Sequence, residues 1–441
     1  MNTRLTIRGP RLWREAKRII PGGSQLLSKR SELLLPEGWP SYYERARGIE
    51  ITDLDGNRYL DFSTMGVGAC ILGYADPNVN AAVKEALDRG SFATLNCPEE
   101  VTLAKLLLRL HPWAEMARFA RGGGEAMALA VRIARAHSGK DAVAFCGYHG
   151  WHDWYLAANL ANKKGLDGHL LPGLAPKGVP RALRGSSVPF AYNDIAALER
   201  IVAKRRDVGV IVVETVRHQE PRDRFLQRVR AIARRIGAVL IFDEITIGWR
   251  LALGGAHLRY GTHPDIAVFA KAMSNGFPCA AVIGVRAVME AAQDTFISSA
   301  YWTDRVGPAA ALATIRKLQR KNAPAHLKRI GAAIGKGWRT LAAKHGLNLS
   351  VEGPEALITF TLSYGAESQA IRTLFTQEML ARGFLASGSV YVSLAHTPRH
   401  VRAYLRAVDE VFKLLAQAIR EKTVFRRLQG PVAHAGFKRL T

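Results

Sequence analysis

Hydrophobic residues along the middle of the chain follow two alternating patterns. Residues 98–110, 125–137 and 225–235 carry apolar side chains at helical spacing. Between them lie short apolar runs of strand length, each bounded by charge, glycine or proline: Ala142–Cys146, Val208–Val213, Ala238–Phe242 and Ile266–Phe269. Strands that alternate with helices are typical of an α/β fold, in which a mostly parallel central sheet carries helices on both faces.

The two ends of the chain follow a different pattern. Residues 41–62 predict a β-hairpin that turns at Asp55-Gly56. The C-terminal part predicts, in chain order, a long basic helix after about residue 312, strands at Ala356–Leu362 and Val390–Leu394, and a helix over residues 398–420. We therefore expect a smaller α+β domain built from both termini, residues 1–65 and 313–441, and a large domain over residues 66–312.

Composition narrows the class of protein. The 441 residues are enough for roughly two to three domains, and 48% hydrophobic with 22% charged residues is typical of a globular chain. The four cysteines lie far apart without metal-ligand spacing, which indicates thiols rather than disulfides or a zinc site. No apolar stretch reaches ~18 residues and the N-terminus lacks an apolar core, so we expect no membrane span, no signal peptide and a cytoplasmic setting.

The charge of the chain is unusual. Lys plus Arg number 62 against 37 Asp plus Glu, which gives a formal net charge of +25. Such an excess is typical of proteins that bind nucleic acid, an anionic membrane or an acidic substrate, but an arginine-rich codon bias produces it too. Because no nucleic-acid motif accompanies the charge, a basic nucleic-acid-binding protein is the weaker hypothesis.

Two loops could bind a planar phosphorylated ligand. Three glycines in Arg121-Gly-Gly-Gly-Glu-Ala126 directly precede a helix, where backbone N–H groups attract a phosphate; a flexible turn is the alternative. In Gly147-Tyr-His-Gly-Trp-His-Asp-Trp154 an aromatic ring can stack on a planar ligand, or the loop packs on its own fold. Its two histidines lack a third ligand at suitable spacing, so we predict no metal site.

Two strand ends carry reactive groups. Asp243 and Glu244 end an apolar strand, where a carboxylate can keep a heterocyclic nitrogen protonated; capping the next helix or binding a metal are the alternatives. Lys271 is the only lysine between Lys204 and Lys317, in a stretch that is rich in arginine. A lysine in such a stretch indicates a primary amine that forms a Schiff base, which a guanidinium cannot do, although chance also leaves such gaps.

A phosphate anchor, an aromatic ring, a carboxylate for a ring nitrogen and a reactive lysine together suit a phosphorylated pyridine aldehyde. Further short motifs accompany them along the chain: Ile20-Pro-Gly-Gly23, Ile71-Leu-Gly-Tyr-Ala75, Gly123-Gly-Glu-Ala126, Tyr148-His-Gly150, Phe242-Asp-Glu-Ile245, Gly248-Trp-Arg250, Ala270-Lys-Ala272 and Asn275-Gly276. In these motifs the chain resembles class III (ω-type) aminotransferases of the fold type I pyridoxal-phosphate group, and within them the branch of the glutamate-1-semialdehyde aminomutases.

The resemblance implies a fold type I architecture, pyridoxal 5′-phosphate as the cofactor and Lys271 as the catalytic residue that holds it as a Schiff base. It also implies the residues around the cofactor: backbone N–H groups of Gly123 and Gly124 on the phosphate, Tyr148 stacked on the ring, Glu214 at its border, Asp243 on the pyridinium nitrogen, Ile245 behind the ring, and Thr303 or Ser299 toward the phosphate across a dimer interface.

The chain departs from the aminomutases at several positions. Gly122-Gly-Gly124 replaces their usual Ser-Gly-Thr, so a hydroxyl contact to the phosphate is lost. Val67 aligns with a substrate-side tryptophan, and the arginine expected to hold a substrate carboxylate aligns near Lys29-Arg30. Ser299-Ala300 replaces the Gly-Thr pair that reaches the phosphate across the dimer interface, which leaves Thr303 or Ser299 as substitutes.

The resemblance implies a transaminase that moves an amino group from a small-molecule donor to a carbonyl acceptor, in a homodimer with shared active sites. Relatives with similar segments belong to carbohydrate and secondary-metabolite pathways, so a sugar-derived or otherwise bulky carbonyl is a candidate acceptor. An intramolecular aminomutase or an epimerase would share every cofactor residue and remains the alternative.

Overall fold

The computed structural model of the protein describes residues 8–169, 172–216 and 218–436. Packing divides the chain into two compact units. One consists of the chain up to Asp76 together with the chain from Ala325 onward, and the other is Pro77–Pro324. That the regions bounded at residues 65 and 312 act as separate domains stays a prediction.

Regular structure covers most of the described ranges. The strands are, in chain order, β1 (Tyr43–Arg47), β2 (Glu50–Asp53), β3 (Arg58–Phe62), β4 (Met116–Ala120), β5 (Ala142–Cys146), β6 (Ser187–Pro189), β7 (Val208–Glu214), β8 (Val239–Asp243), β9 (Ile266–Phe269), β10 (Ala280–Gly284), β11 (Leu349–Glu352), β12 (Leu357–Leu362), β13 (Phe384–Ala386) and β14 (Ser389–Tyr391). The α-helices are α1 (Arg8–Ile19), α2 (Pro77–Asp88), α3 (Pro98–Leu110), α4 (Gly123–Ser138), α5 (Asp153–Leu156), α6 (Ala158–Ala161), α7 (Ile195–Lys204), α8 (Phe225–Ile236), α9 (Arg286–Met289), α10 (Val306–Arg320), α11 (Ala323–His345), α12 (Ser368–Ala381), α13 (Pro398–Arg420) and α14 (Val424–Arg427). Within these ranges no helix combines the length and the apolar character that crossing a bilayer requires.

The Pro77–Pro324 unit is built on a seven-stranded sheet in the order β4-β10-β9-β8-β7-β5-β6. Strands β5 to β9 pair in parallel, whereas β10 runs antiparallel to both of its neighbours, β4 and β9. Every residue of β5, β7, β8 and β9 is buried, because helices cover both faces of the sheet. The predicted α/β class and mostly parallel sheet are confirmed.

Alternation along each strand divides the core of this unit between the two faces of the sheet. In β5, Val143 and Phe145 pack into one hydrophobic cluster, while Ala144 and Cys146 pack into the other. The register also brings strand ends level, since Asp243 lies opposite Glu214 of β7. The carboxyl ends of the parallel strands therefore share one edge, where ligands of such sheets bind.

The other unit contains a four-stranded sheet, β1-β2-β3-β13, and a three-stranded sheet, β11-β12-β14. The prediction of a simple hairpin over residues 41–62 was incomplete, because these residues form the three strands β1, β2 and β3. A second turn at Gly48, where φ is 61°, adds the extra strand. The predicted helix over residues 398–420 is confirmed as α13.

The single long basic helix predicted after residue 312 is wrong, because the segment forms two helices, α10 and α11. Between them Asn322 has a left-handed backbone with φ of 45°. Pro324 has no N–H group for a helix interior and fits only the first turn, where that group has no helical partner. The chain therefore ends one helix and begins another at this point.

Candidate active site

Asp243 ends β8 at the carboxyl edge of the sheet and is almost completely buried. Its Oδ1 accepts the N–H of Ile245 at 2.9 Å, and its Oδ2 lies 2.8 Å from Nδ1 of His149. Burial raises the pKa of Asp243, and the contact with His149 offsets part of that rise by favouring the carboxylate. A cationic N–H group beside Asp243 would therefore favour its ionised form further.

His149 has a role that the sequence pattern did not indicate. Its ring is buried between Asp243 and the carbonyl oxygen of Cys146, which lies 3.2 Å from Nε2. The sequence does place His149 shortly after β5, and therefore at the same sheet edge as Asp243. Its contact with Asp243 could not be predicted, because that contact depends on the order of the strands in the sheet. In the described ranges, His, Cys, Asp and Glu side chains form no group of three that could hold a metal ion.

Glu244, the second carboxylate at this strand end, is hydrogen-bonded by other groups of the protein. Its Oε2 accepts the N–H of Ala256 at 2.8 Å, and its Oε1 accepts the N–H of His257 at 2.9 Å. The same Oε1 lies 2.8 Å from Nδ1 of His257, and Oγ1 of Thr215 donates to it at 3.0 Å. Glu244 therefore fixes the loop that follows β8, which separates its role from that of Asp243.

Lys271 begins a short 3-10 helix, Lys271–Ser274, directly after β9. Its backbone is left-handed with φ of 45°, a conformation that costs a non-glycine residue about 1–3 kcal/mol and clusters at functional sites. Its Nζ donates a hydrogen bond to Oγ1 of Thr246 at 2.8 Å. Sequence reasoning missed Thr246, because a hydroxyl three residues beyond Asp243 forms no pattern of its own.

The three-glycine turn leads into α4, which begins at Gly123. Oε2 of Glu125 accepts the N–H groups of Arg121 and Gly122, each at 3.0 Å. Burial opposes the charge of Glu125, but these N–H groups lower its pKa. The N–H groups of Gly123 and Gly124 belong to the first turn and have no acceptor within the helix, so they can bind an anion.

Glycine at position 123 also allows a close contact with Ile245. A Cβ atom at Gly123 would lie 3.1 Å from Cδ1 of Ile245 and 3.7 Å from Cβ of Ala270. The helix N-terminus therefore lies beside the residue that precedes Lys271. Through Ile245 it is also connected to Asp243, so the structure brings these predicted residues together.

Tyr148 and Glu214 lie next to each other at the ends of β5 and β7. The N–H of Tyr148 donates to Oε2 of Glu214 at 3.0 Å, and the half-buried Tyr148 ring packs against the core. The preceding Gly147 has φ of 121°, and a Cβ atom there would lie 2.7 Å from Cβ of Glu214. Only glycine therefore brings the Tyr148 loop this close to β7.

Thr303 is exposed on a 3-10 helix, Ala300–Thr303, and its Oγ1 donates to the carbonyl oxygen of Ala300 at 2.8 Å. Arg121 holds both neighbours of Thr303: its Nη2 donates to the Trp302 carbonyl oxygen at 2.7 Å, and its guanidinium pairs with Asp304. No contact joins Thr303 to the other predicted cofactor residues within the described part of this chain. Its proposed contact belongs to a second subunit and stays a prediction.

A cavity of about 540 Å³ lies at the carboxyl ends of β5, β6 and β7. It shares Tyr148 and Glu214 with the site, but Lys271 and Asp243 do not line it. Its remaining walls carry aromatic and polar side chains, among them Asn162, Lys164, His169, Tyr192, His218 and Gln219. This volume is large enough for a ligand group beyond the cofactor.

The donor set fits pyridoxal 5′-phosphate. A helix N-terminus with two glycines suits a phosphate, the buried Asp243 suits a pyridinium nitrogen, and Lys271 supplies a primary amine at the same edge. The fold and these residues define a fold type I pyridoxal-phosphate-dependent transferase. Residues 37–401 match the family described as Aminotransferase class-III, and the chain belongs to that family.

Curated relatives cover nearly the whole chain. The 3-aminobutyryl-CoA aminotransferase of Cloacimonas acidaminovorans is 30% identical over 93% of this chain and 95% of its own length. The 2′-deamino-2′-hydroxyneamine transaminase of Streptomyces kanamyceticus is 30% identical over 86% of this chain and 91% of its own. A glutamate-1-semialdehyde 2,1-aminomutase of Methanothrix thermoacetophila is 33% identical over 91% of this chain and 95% of its own.

Solved structures agree with this family. The FumI protein of Sphingopyxis sp. MTA144, solved with pyridoxal phosphate, matches 94% of this chain and 97% of its own, with a TM-score of 0.84 and 26% identity. An omega-transaminase from Sphaerobacter thermophilus matches 94% of this chain and 98% of its own, with a TM-score of 0.81 and 27% identity. The protein is a pyridoxal-phosphate-dependent enzyme of amino-group transfer.

Proposed function

We propose that this enzyme is a transaminase that moves an amino group from one substrate molecule to a second, separate molecule. Lys271 is the residue that binds the cofactor. The observation that carries this proposal is the meeting of the Lys271–Thr246 and Asp243–His149 pairs at one sheet edge. The residues proposed to hold the cofactor are Gly123 and Gly124 on the phosphate, Tyr148 and Ile245 on the two ring faces, Glu214 at the border, Asp243 on the ring nitrogen, and Thr303 at the phosphate of a second subunit.

Pyridoxal phosphate supplies an electron-accepting ring that stabilises negative charge on the substrate Cα. With its Nζ free, Lys271 would act as the base that takes the proton from the substrate Cα, and then as the acid that delivers this proton to C4′ of the cofactor. Thr246 orients Nζ through its 2.8 Å hydrogen bond. Asp243, held by His149, keeps the ring nitrogen protonated.

We further propose that the carbonyl acceptor is a sugar-derived or similarly bulky compound. The cavity beside Tyr148 and Glu214 supports this, because aromatic faces, amides and a carboxylate suit a hydroxylated ring. A relative named for a neamine-type substrate supports it as well. The test is a screen of donors and acceptors on the purified enzyme, following the cofactor spectrum in each half-reaction.

Lys271→Ala tests the residue that carries the proposal. We expect loss of the visible band of covalently bound cofactor and a fall in turnover of about 10³-fold or more, because the general acid–base group is gone. Lys271→Arg is the matched control for charge, and it should be equally inactive since guanidinium stays protonated. Full turnover in either variant would contradict the assignment.

An intramolecular aminomutase is the second candidate, because relatives of similar identity carry that name. A donor labelled with ¹⁵N distinguishes the two reactions. Label recovered in the amino group of a different product molecule supports the transaminase. Retention of all nitrogen within the starting molecule contradicts it and supports the aminomutase.

We also propose a cytoplasmic homodimer. Large apolar side chains on the Pro77–Pro324 unit are exposed, including Leu95 at 83% and Phe296 at 85%. Phe92 and Tyr301 are also exposed, with ring centroids 6.0 Å apart. Apolar surface of this kind is typical of an interface. All four cysteines are free thiols, which suits a reducing compartment.

A further inference from the structure

Position 124 has an unusual neighbour. Gly122-Gly-Gly124 leads into α4, so the first turn of this helix carries no side chain at Gly123 or Gly124. In the structure the space beside Gly124 is filled by the imidazole ring of His152. A Cβ atom at Gly124 would lie 3.2 Å from Nδ1 and 3.4 Å from Cε1 of that ring.

Nδ1 of His152 is buried, and it has no hydrogen-bond partner within residues 8–169, 172–216 and 218–436. The ring is held in place by stacking on Trp151, with centroids 4.5 Å apart and planes inclined by 29°. The backbone carbonyl oxygen of His152 accepts the N–H of Tyr155 at 2.9 Å. A buried polar atom without a partner is unfavourable, which indicates a group that completes the site when the enzyme is loaded.

The surroundings of Nδ1 point to an anion. The ring lies beside the N-terminal turn of α4, where the first N–H groups favour negative charge. Burial lowers the pKa of His152, while the charges of Glu125 and Asp153 oppose that shift. A neutral imidazole that carries its hydrogen on Nδ1 can donate to a phosphate oxygen, as a hydroxyl does.

We infer that His152 donates a hydrogen bond from Nδ1 to the cofactor phosphate, beside the helix turn where Gly124 has no side chain of its own. This inference rests on the proposed function, because it takes the N-terminus of α4 as the phosphate site. Histidine at 152 and glycine at 124 then form a matched pair, since a side chain at 124 and the ring at 152 compete for one space. The residue binds the cofactor and takes no part in proton transfer.

The test compares four proteins by equilibrium titration of the apoenzyme with pyridoxal 5′-phosphate: the wild type, His152→Ala, Gly124→Thr and the double variant. We expect His152→Ala to raise the dissociation constant by about ten- to hundredfold, because a charge-assisted hydrogen bond is lost. Gly124→Thr alone should also weaken binding, since its side chain meets the His152 ring. The double variant should recover to within about threefold of the wild type, because threonine then occupies the vacated space.

His137→Ala is the matched control, since His137 is exposed near the other end of α4 and should leave the dissociation constant unchanged. The ³¹P resonance of the bound phosphate should move in His152→Ala and stay in place in His137→Ala. Wild-type affinity in His152→Ala, or a double variant as weak as the combined single variants, would overturn the inference. A wild-type protein that binds no pyridoxal phosphate would instead overturn the proposed function.

Discussion

Replacing His149 by phenylalanine tests how the buried carboxylate is kept ionised. The variant keeps a ring of similar size at a position that is 1% exposed, but it removes the nitrogen that lies 2.8 Å from Oδ2 of Asp243. A hydrogen bond to a charged group contributes about 1.5–3 kcal/mol. Because tenfold corresponds to about 1.4 kcal/mol, the rate of the donor half-reaction should fall by about ten- to hundredfold.

The pH dependence has a definite sign. Burial already raises the pKa of Asp243, and loss of His149 removes the largest effect that opposes this rise. Since the ring nitrogen needs the ionised carboxylate, activity is present above the pKa of Asp243 and lost as the pH falls through it. The acid limb of kcat/KM should therefore lie at higher pH in His149→Phe than in the wild type.

Both effects can be measured in single-turnover experiments with an amino donor between about pH 5 and pH 9. The rate of the absorbance change of the bound cofactor is recorded at each pH. His149→Asn is the matched control, because its side-chain amide still offers an N–H group near the same place. It should recover most of the rate and return the acid limb toward the wild-type position. If His149→Phe had the wild-type rate and pH profile, the proposed coupling of His149 to Asp243 would be refuted.

Three further results follow from the contacts of single residues. Gly147→Ala should destabilise the fold by about 2 kcal/mol and lower Tm, because φ is 121° and the added Cβ meets Glu214; an unchanged thermal melt would contradict this. Phe296→Asp should weaken the proposed dimer without unfolding the subunit, and sedimentation analysis should then detect monomer. Burial lowers the pKa of His396 to about 4, so the unfolded chain takes up a proton first as the pH falls. Because of this histidine, the free energy of unfolding should therefore decrease by about 3 kcal/mol between pH 6.5 and 4. In His396→Asn, urea titrations at the two pH values should show a smaller decrease by that amount.

Local pattern was enough for the buried parallel strands β5, β7, β8 and β9 of the Pro77–Pro324 unit. Each of β5, β7, β8 and β9 is within one residue of its predicted run, because a strand buried on both faces must be continuously apolar. The antiparallel β10 was not predicted, and neither were the edge strands β4 and β6. Strand direction depends on the connections between strands, which hydrophobic periodicity does not report.

The amino-acid sequence by itself determined the chemistry that is available: a lone lysine after a strand, a carboxylate at a strand end, glycines before a helix and a family resemblance that joins them. Tertiary structure alone decided which groups meet. His149 contacts a carboxylate 94 positions away, and Lys271 contacts Thr246 across 25 positions. His152 fills the space above Gly124. Such contacts depend on strand order and register, which bring distant residues to one edge, whereas residue type and spacing describe only neighbours along the chain.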